Sequence, residues 1–202
     1  MQQLVLNIGP AVEPDFDNYV AGPNAEAVAA VRGFAARSAR EAVVYLWGEP
    51  GSGRTHLLRA AAKANPELVI ADDVESLDAP AQQCLFAAIN AAREGAAPVL
   101  AAGSRPPGQL GLREDLRTRL AWGLVYQLKP LTDAEKCLHL RAQAARRGLR
   151  LSDEVLAYLL TRLPRDLASL NAVLESLDRY SLATKRPITL PLVREALERK
   201  IR

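Results

Sequence analysis

The chain has 202 residues, enough for one substantial core or for a core with a small appendage. Hydrophobic residues make up 49% and charged residues 24%, which excludes a disordered or fibrous chain, and a net charge of +3 is too weak to argue for nucleic acid by itself. No stretch is long and apolar enough to span a membrane, Met1–Ile8 lacks the basic start of a signal peptide, and Cys84 and Cys137 read as core thiols of a reducing compartment, so the expected setting is the cytoplasm.

Residues 1–23 form an arm in which Pro10, Pro14, Gly22 and Pro23 forbid a continuous helix. Gln3, Leu4, Leu6 and Ile8 place a glutamine before alternating aliphatics. Such a segment can dock in a partner's hydrophobic groove or lie as an edge strand on its own domain, and the pattern leaves both open. A helix is predicted from an Asn24 cap to about Arg37, with Ala27, Val28, Val31 and Phe34 on one face. The apolar run Ala42–Trp47 then leads into Gly48-Glu49-Pro50-Gly51-Ser52-Gly53-Arg54-Thr55 and a helical pattern from His56 to Lys63.

Strand, glycine-rich turn and helix make up the setting of a phosphate-binding loop. Its glycines let backbone N–H groups converge on phosphate oxygens, and Thr55 can offer its hydroxyl to Mg²⁺. Arg54 stands where the usual pattern has lysine. A broad planar fork replaces a compact ammonium, so nucleotide binding is expected and rapid hydrolysis is not.

After the break at Asn65-Pro66, Leu68–Ala71 reads as a buried strand ending in Asp72-Asp73. A strand's carboxyl end can bring Asp72 to the Mg²⁺ held by Thr55 and let Asp73 address a water; the same pair can also be surface acids of a strand-to-helix turn. Asp78 caps a helix running to about Glu94, with Pro80 near its start. Pro98–Ala102 is a third strand, a loop containing Ser104 and Arg105 follows, then a helix over Arg113–Ala121 and a strand over Leu124–Leu128. Arg117 and Arg119 lie at that helix's end. They either complement its dipole or reach the γ-phosphate on a neighbouring molecule.

From Lys129 onward the strands cease. Thr132-x-x-Glu135 is a capping box opening a helix that stops at Gly148, and Ser152, Pro164-Arg165-Asp166 and Pro191 open three more. The reading is therefore an arm (1–23), an α/β nucleotide-binding domain (24–129) and an all-helical lid (130–202). Arg165, at a helix start, can swing toward phosphates, while Arg141, Arg146, Arg147 and Arg150 read as a solvated helix end rather than a DNA surface.

Taken together, Leu46-Trp47, Gly51–Leu58, Arg105–Leu110, Arg119–Gly123 and Leu128–Lys136 resemble the AAA+ superfamily, and within it the Hda family of DnaA-related regulators. The resemblance implies an AAA+ parallel sheet with a helical lid. It implies that Gly48, Gly51, Ser52, Gly53, Arg54, Thr55, His56 and Arg165 hold ADP or ATP, with Thr55 and Asp72 on Mg²⁺. Ser104 and Arg105 fall in the sensor-1 loop, Arg165 at sensor 2, and Arg119 matches the finger donated in trans to ATP on the DnaA initiator.

It further implies that Gln3, Leu4, Leu6 and Ile8 bind the DNA polymerase sliding clamp. The protein would then be a negative regulator of replication initiation that activates another molecule's ATPase, with no direct DNA contact. A self-sufficient ATPase or loader, or a nucleotide-independent clamp adaptor, are the alternatives. One departure stands out: only Asn65-Pro66-Glu67 separates the loop helix from the Asp-bearing strand, where the family inserts a further strand and helices, so four strands are expected instead of five.

Overall fold

The structure is a computed structural model and describes residues 13–38, 40–163 and 166–198. It divides into two compact units, Pro14–Pro130 and the residues from Leu131 onward.

In the first unit, β1 (Val43–Gly48), β2 (Val69–Ala71), β3 (Val99–Gly103) and β4 (Leu124–Leu128) form one parallel sheet in the order β2-β3-β1-β4. The fourth strand closes the count, as the short connector after the loop helix requires. Strand β1 is buried on both faces, as the continuous apolar run Ala42–Trp47 demands.

Val44 and Leu46 point to one side with Leu100, Ala102 and Leu128, against α1 (Ala25–Ala35) and α2 (Arg54–Ala64) through Val31, Phe34, Leu57 and Leu58. Val43 and Tyr45 point to the other side with Val99 and Ala101, against α3 (Ala79–Arg93) and α4 (Glu114–Leu120) through Leu85, Ile89, Leu116 and Leu120. The result is a three-layer α/β/α body. Each fully buried leucine in it contributes about 1.5–3 kcal/mol.

Two readings change. Asn24 caps nothing; its side chain instead spans the backbone of Lys129, donating to the carbonyl at 2.8 Å and accepting from the N–H at 2.8 Å. It ties the start of α1 to the end of β4. Cys84 is exposed rather than in the core, because α3 turns Leu85, Ile89 and Ala92 inward and leaves residue 84 on the solvent side.

The second unit holds α5 (Asp133–Arg146), α6 (Asp153–Arg162), α7 (Leu167–Thr184) and α8 (Leu190–Glu198) around Leu140, Leu156, Leu159, Leu170, Leu174 and Leu192. Thr132 and Glu135 complete the capping box, Ser152 and Asp166 cap α6 and α7, and Gly148 takes φ +71° just past α5. The arginines near that end are engaged within the unit: Arg141 pairs with Asp153, and Arg147 with Glu175 at 3.1 Å.

Candidate nucleotide site

β1 delivers Gly48 into the loop, and α2 begins at Arg54. Gly51 (φ +82°) and Gly53 (φ +92°) occupy the left-handed region, where a side chain would strain the turn and where successive N–H groups can face inward. Gly48 answers to a different constraint: a Cβ there would lie 2.2 Å from the Leu128 carbonyl oxygen. Its smallness serves the contact between β1 and β4.

At the carboxyl end of β2, Asp72 accepts a hydrogen bond from the Thr55 hydroxyl at 2.6 Å. The structure thus joins the two residues expected to hold Mg²⁺. Asp73, in the left-handed region at φ +43°, pairs with the Arg54 guanidinium at 3.3 Å. Arg54 is only 12% exposed, and its Nη1 is buried without a hydrogen-bond partner, as is the Ser52 hydroxyl. Two orphaned buried donors beside inward-facing amides are the fit expected of a loop built for phosphate oxygens.

The loop carrying Ser104 and Arg105 is held from two sides. Glu75 accepts from the Ser104 N–H at 2.9 Å, and the Tyr45 hydroxyl donates to the Arg105 carbonyl at 2.8 Å. Burial pushes the Glu75 carboxyl up, but the Ser104 hydrogen bonds and the Arg54 charge outweigh it and leave the group below its ordinary range. Burial raises the Tyr45 phenol, keeping it a neutral donor. The Arg105 side chain itself is exposed.

Residues 14–23, expected in the arm, pack on this body. Phe16 enters the core, Asp15 pairs with Lys63 at 3.0 Å, and the Tyr19 hydroxyl donates to the Ser52 carbonyl at 3.2 Å. The Tyr19 ring fills the space a Cβ on Gly53 would need, at 2.7 Å, and burial pushes its phenol to about 12. His56 meets this segment rather than the phosphate cradle: Nε2 lies 3.0 Å from the Asp15 carbonyl and the ring stands edge-on to Tyr19. Tyr19, Tyr45 and Glu75 are the contributors that sequence reading missed. An aromatic before the first helix was the one visible signal.

Arg119 belongs to a different place. Gly123 is wedged against the start of β1, since a Cβ on it would lie 2.1 Å from the Val43 carbonyl oxygen. The segment that follows α4 is therefore at the strand-start end of the sheet. Five residue steps of β1 at about 3.3 Å each put roughly 17 Å between Val43 and Gly48. Arg119 is half-buried, and its guanidinium stacks on Trp122 at 3.7 Å and on Phe86 at 5.3 Å from the ring centroids. Among the described residues no carboxylate pairs with it.

Gln3, Leu4, Leu6, Ile8 and Arg165 lie outside the described residues. Among the described residues no group of three or more His, Cys, Asp or Glu could hold a metal, and no helix is long and apolar enough to cross a membrane.

Comparison with known proteins places this geometry. The fold is similar to domain III of the Thermotoga maritima replication initiation protein DnaA, with a TM-score of 0.74, 21% identity, and 93% of this chain and 96% of that one covered. It is also similar to replication initiator DnaA bound to AMPPCP and single-stranded DNA (TM-score 0.67, 19% identity, 94% and 68% covered). Thermotoga maritima RuvB matches as well (TM-score 0.65, 17% identity, 95% and 72% covered). The fold is therefore the AAA+ fold of DnaA domain III. Residues 133–197, which span the helical unit, match the family model described as the Hda lid domain.

Proposed function

We propose that the protein is a clamp-tethered negative regulator of replication initiation. It holds ADP with Mg²⁺ in its own pocket and lends Arg119 to ATP bound on DnaA. Hydrolysis there leaves the initiator inactive. Gln3, Leu4, Leu6 and Ile8 supply the tether to the sliding clamp, the body makes no direct DNA contact, and the setting is the cytoplasm.

The observation that carries this reading is the position of Arg119. It sits at the opposite end of the sheet from its own phosphate loop, without a carboxylate partner among the described residues, and so suits a triphosphate on another molecule. A guanidinium placed where charge develops in phosphoryl transfer is worth about 10³–10⁵ in rate.

The chain's own pocket supports the complementary role. Arg54, Thr55 and Asp72 would hold the nucleotide and its metal, the ion supplying charge neutralisation between phosphates when bound. Asp73, the carboxylate that could orient a water, is instead engaged by Arg54. That pairing suits retention of a nucleotide better than its turnover.

The test is a reconstitution with sliding clamp, DNA and ATP-loaded DnaA. The protein should accelerate DnaA's hydrolysis only when the clamp is present, and Arg119→Ala should cut that acceleration by about 10³-fold while ADP binding to the variant persists. Undiminished stimulation by Arg119→Ala would retire the reading, and rapid unassisted turnover by the purified protein would favour a self-sufficient ATPase.

A further inference from the structure

We infer that Trp122 is a positioning residue for Arg119, a flat platform that presents the guanidinium to an acceptor outside the chain. The inference rests on the finger reading above and names the device by which that finger is held.

Trp122 lies two residues past the end of α4 and is 46% exposed, an unusual place for the largest side chain in the repertoire. Two cations lie over its ring: Arg119 with Cζ 3.7 Å from the centroid, and Arg93, the last residue of α3, at 4.2 Å. Phe86 supports Arg119 from α3 at 5.3 Å. Among the described residues neither Arg93 nor Arg119 forms an ion pair with a carboxylate, so two like charges share one indole and are held by its faces. A salt bridge would be the ordinary way to fix an arginine.

The difference matters chemically. A carboxylate would consume the guanidinium's in-plane N–H donors, whereas a π face holds the group by its flat side; the Arg119 Nε–H is buried without a partner, and it is the terminal Nη edge that stays free. An arginine that must grip a triphosphate elsewhere needs that free edge and a fixed plane.

The platform is itself anchored. The Trp122 backbone N–H donates to the Arg119 carbonyl at 3.2 Å, and the next residue, Gly123, is pressed onto the start of β1. Neither the ring nor the arginine depends on a loose loop for its place.

Two measurements test this. In the reconstituted assay, Trp122→Leu keeps bulk but loses the π face, and should lower the maximal stimulated rate about 10²-fold, the scale of a displacement near 1 Å. The concentration of the protein giving half-stimulation should stay within about twofold. Trp122→Phe should recover most of the rate. The second readout needs no partner. The chain has two tryptophans, so in a Trp47→Phe background the emission reports Trp122 alone, and Arg119→Ala should shift it and raise its quenching by acrylamide.

Emission that ignores Arg119→Ala would overturn the platform by itself. So would normal stimulation by Trp122→Leu, a failure of Trp122→Phe to recover, or a change confined to the half-stimulating concentration, which would make Trp122 a partner contact instead. Emission that responds while Arg119→Ala still stimulates fully would overturn the finger reading and remove the platform's purpose with it.

Discussion

The two ends of the sheet solve opposite electrostatic problems. At the carboxyl end the phosphate-loop and β2 groups are paired within the chain: Arg54 with Asp73, Thr55 with Asp72, Glu75 with the Ser104 amide, while Arg105 stays exposed beside them. At the starting end Arg37 pairs with Glu67 and Glu41 lines the same pocket as Arg93, but Arg93 and Arg119 rest on aromatic faces and form no ion pair among the described residues. A matched end can hold a ligand and keep its shape. An arginine without an ion pair keeps cationic potential that an outside anion can relieve. On the proposed function, one sheet separates retention of a nucleotide from action on another one.

Three substitutions or conditions sharpen this contrast, beginning with the largest expected effect. Asp72→Asn should weaken Mg²⁺-dependent nucleotide binding by about 10–100-fold, because the partner that orients the Thr55 hydroxyl is degraded. Calorimetry would measure it, and Trp122 emission should not change; a response at both ends would break the proposed separation.

Asn24→Ala comes next. It removes a buried side chain that satisfies both the N–H and the carbonyl of Lys129 beside the carboxyl end of β4. The expected cost is about 1–2 kcal/mol, since exposed Lys129 recovers part of its hydrogen bonding from water. Urea unfolding would show it as a lower midpoint at unchanged slope.

The smallest effect lies in the helical unit. Burial pushes the His139 imidazole below 6.5, the neighbouring Arg146 charge adds to the shift, and the hydrogen bond with Asn171 opposes it without prevailing. The folded state therefore takes up its proton at lower pH than the unfolded chain. Stability should be complete above about pH 6.5 and decline as the pH falls below that value toward the folded pKa. Denaturation at pH 7.5 and 5.5 should show this decline, and His139→Asn should flatten it. A steeper fall in the variant would contradict the assignment.

Local chemistry made much of the fold legible. The phosphate loop, the Asp78 and Ser152 caps, the capping box at Thr132 and the buried run of β1 each depend on residues a few positions apart. Four strands followed from the three-residue gap at Asn65–Glu67. What stayed hidden depends on distant pairs. Asn24 has the composition of a cap, and only its meeting with Lys129, 105 positions away, makes it a tether. Tyr19 sits in a proline- and acid-rich stretch that reads as a surface arm, yet its ring closes on Gly53 through a contact no periodicity reports. Cys84 looked internal because α3 is apolar overall; the face it occupies decides otherwise. The stack on Trp122 joins α3 to the end of α4, so no window of sequence contains it.

The border strand β2 has a final consequence. Its three residues, Val69–Ala71, are partly exposed and pair on one side with β3. A sheet that ends early could offer a long row of open amides to any extended peptide, the usual route to fibrous stacking. Here the rail is barely one step long, too short to seat an intruding chain. At this margin the four-stranded sheet ends without offering a neighbour a strand to extend.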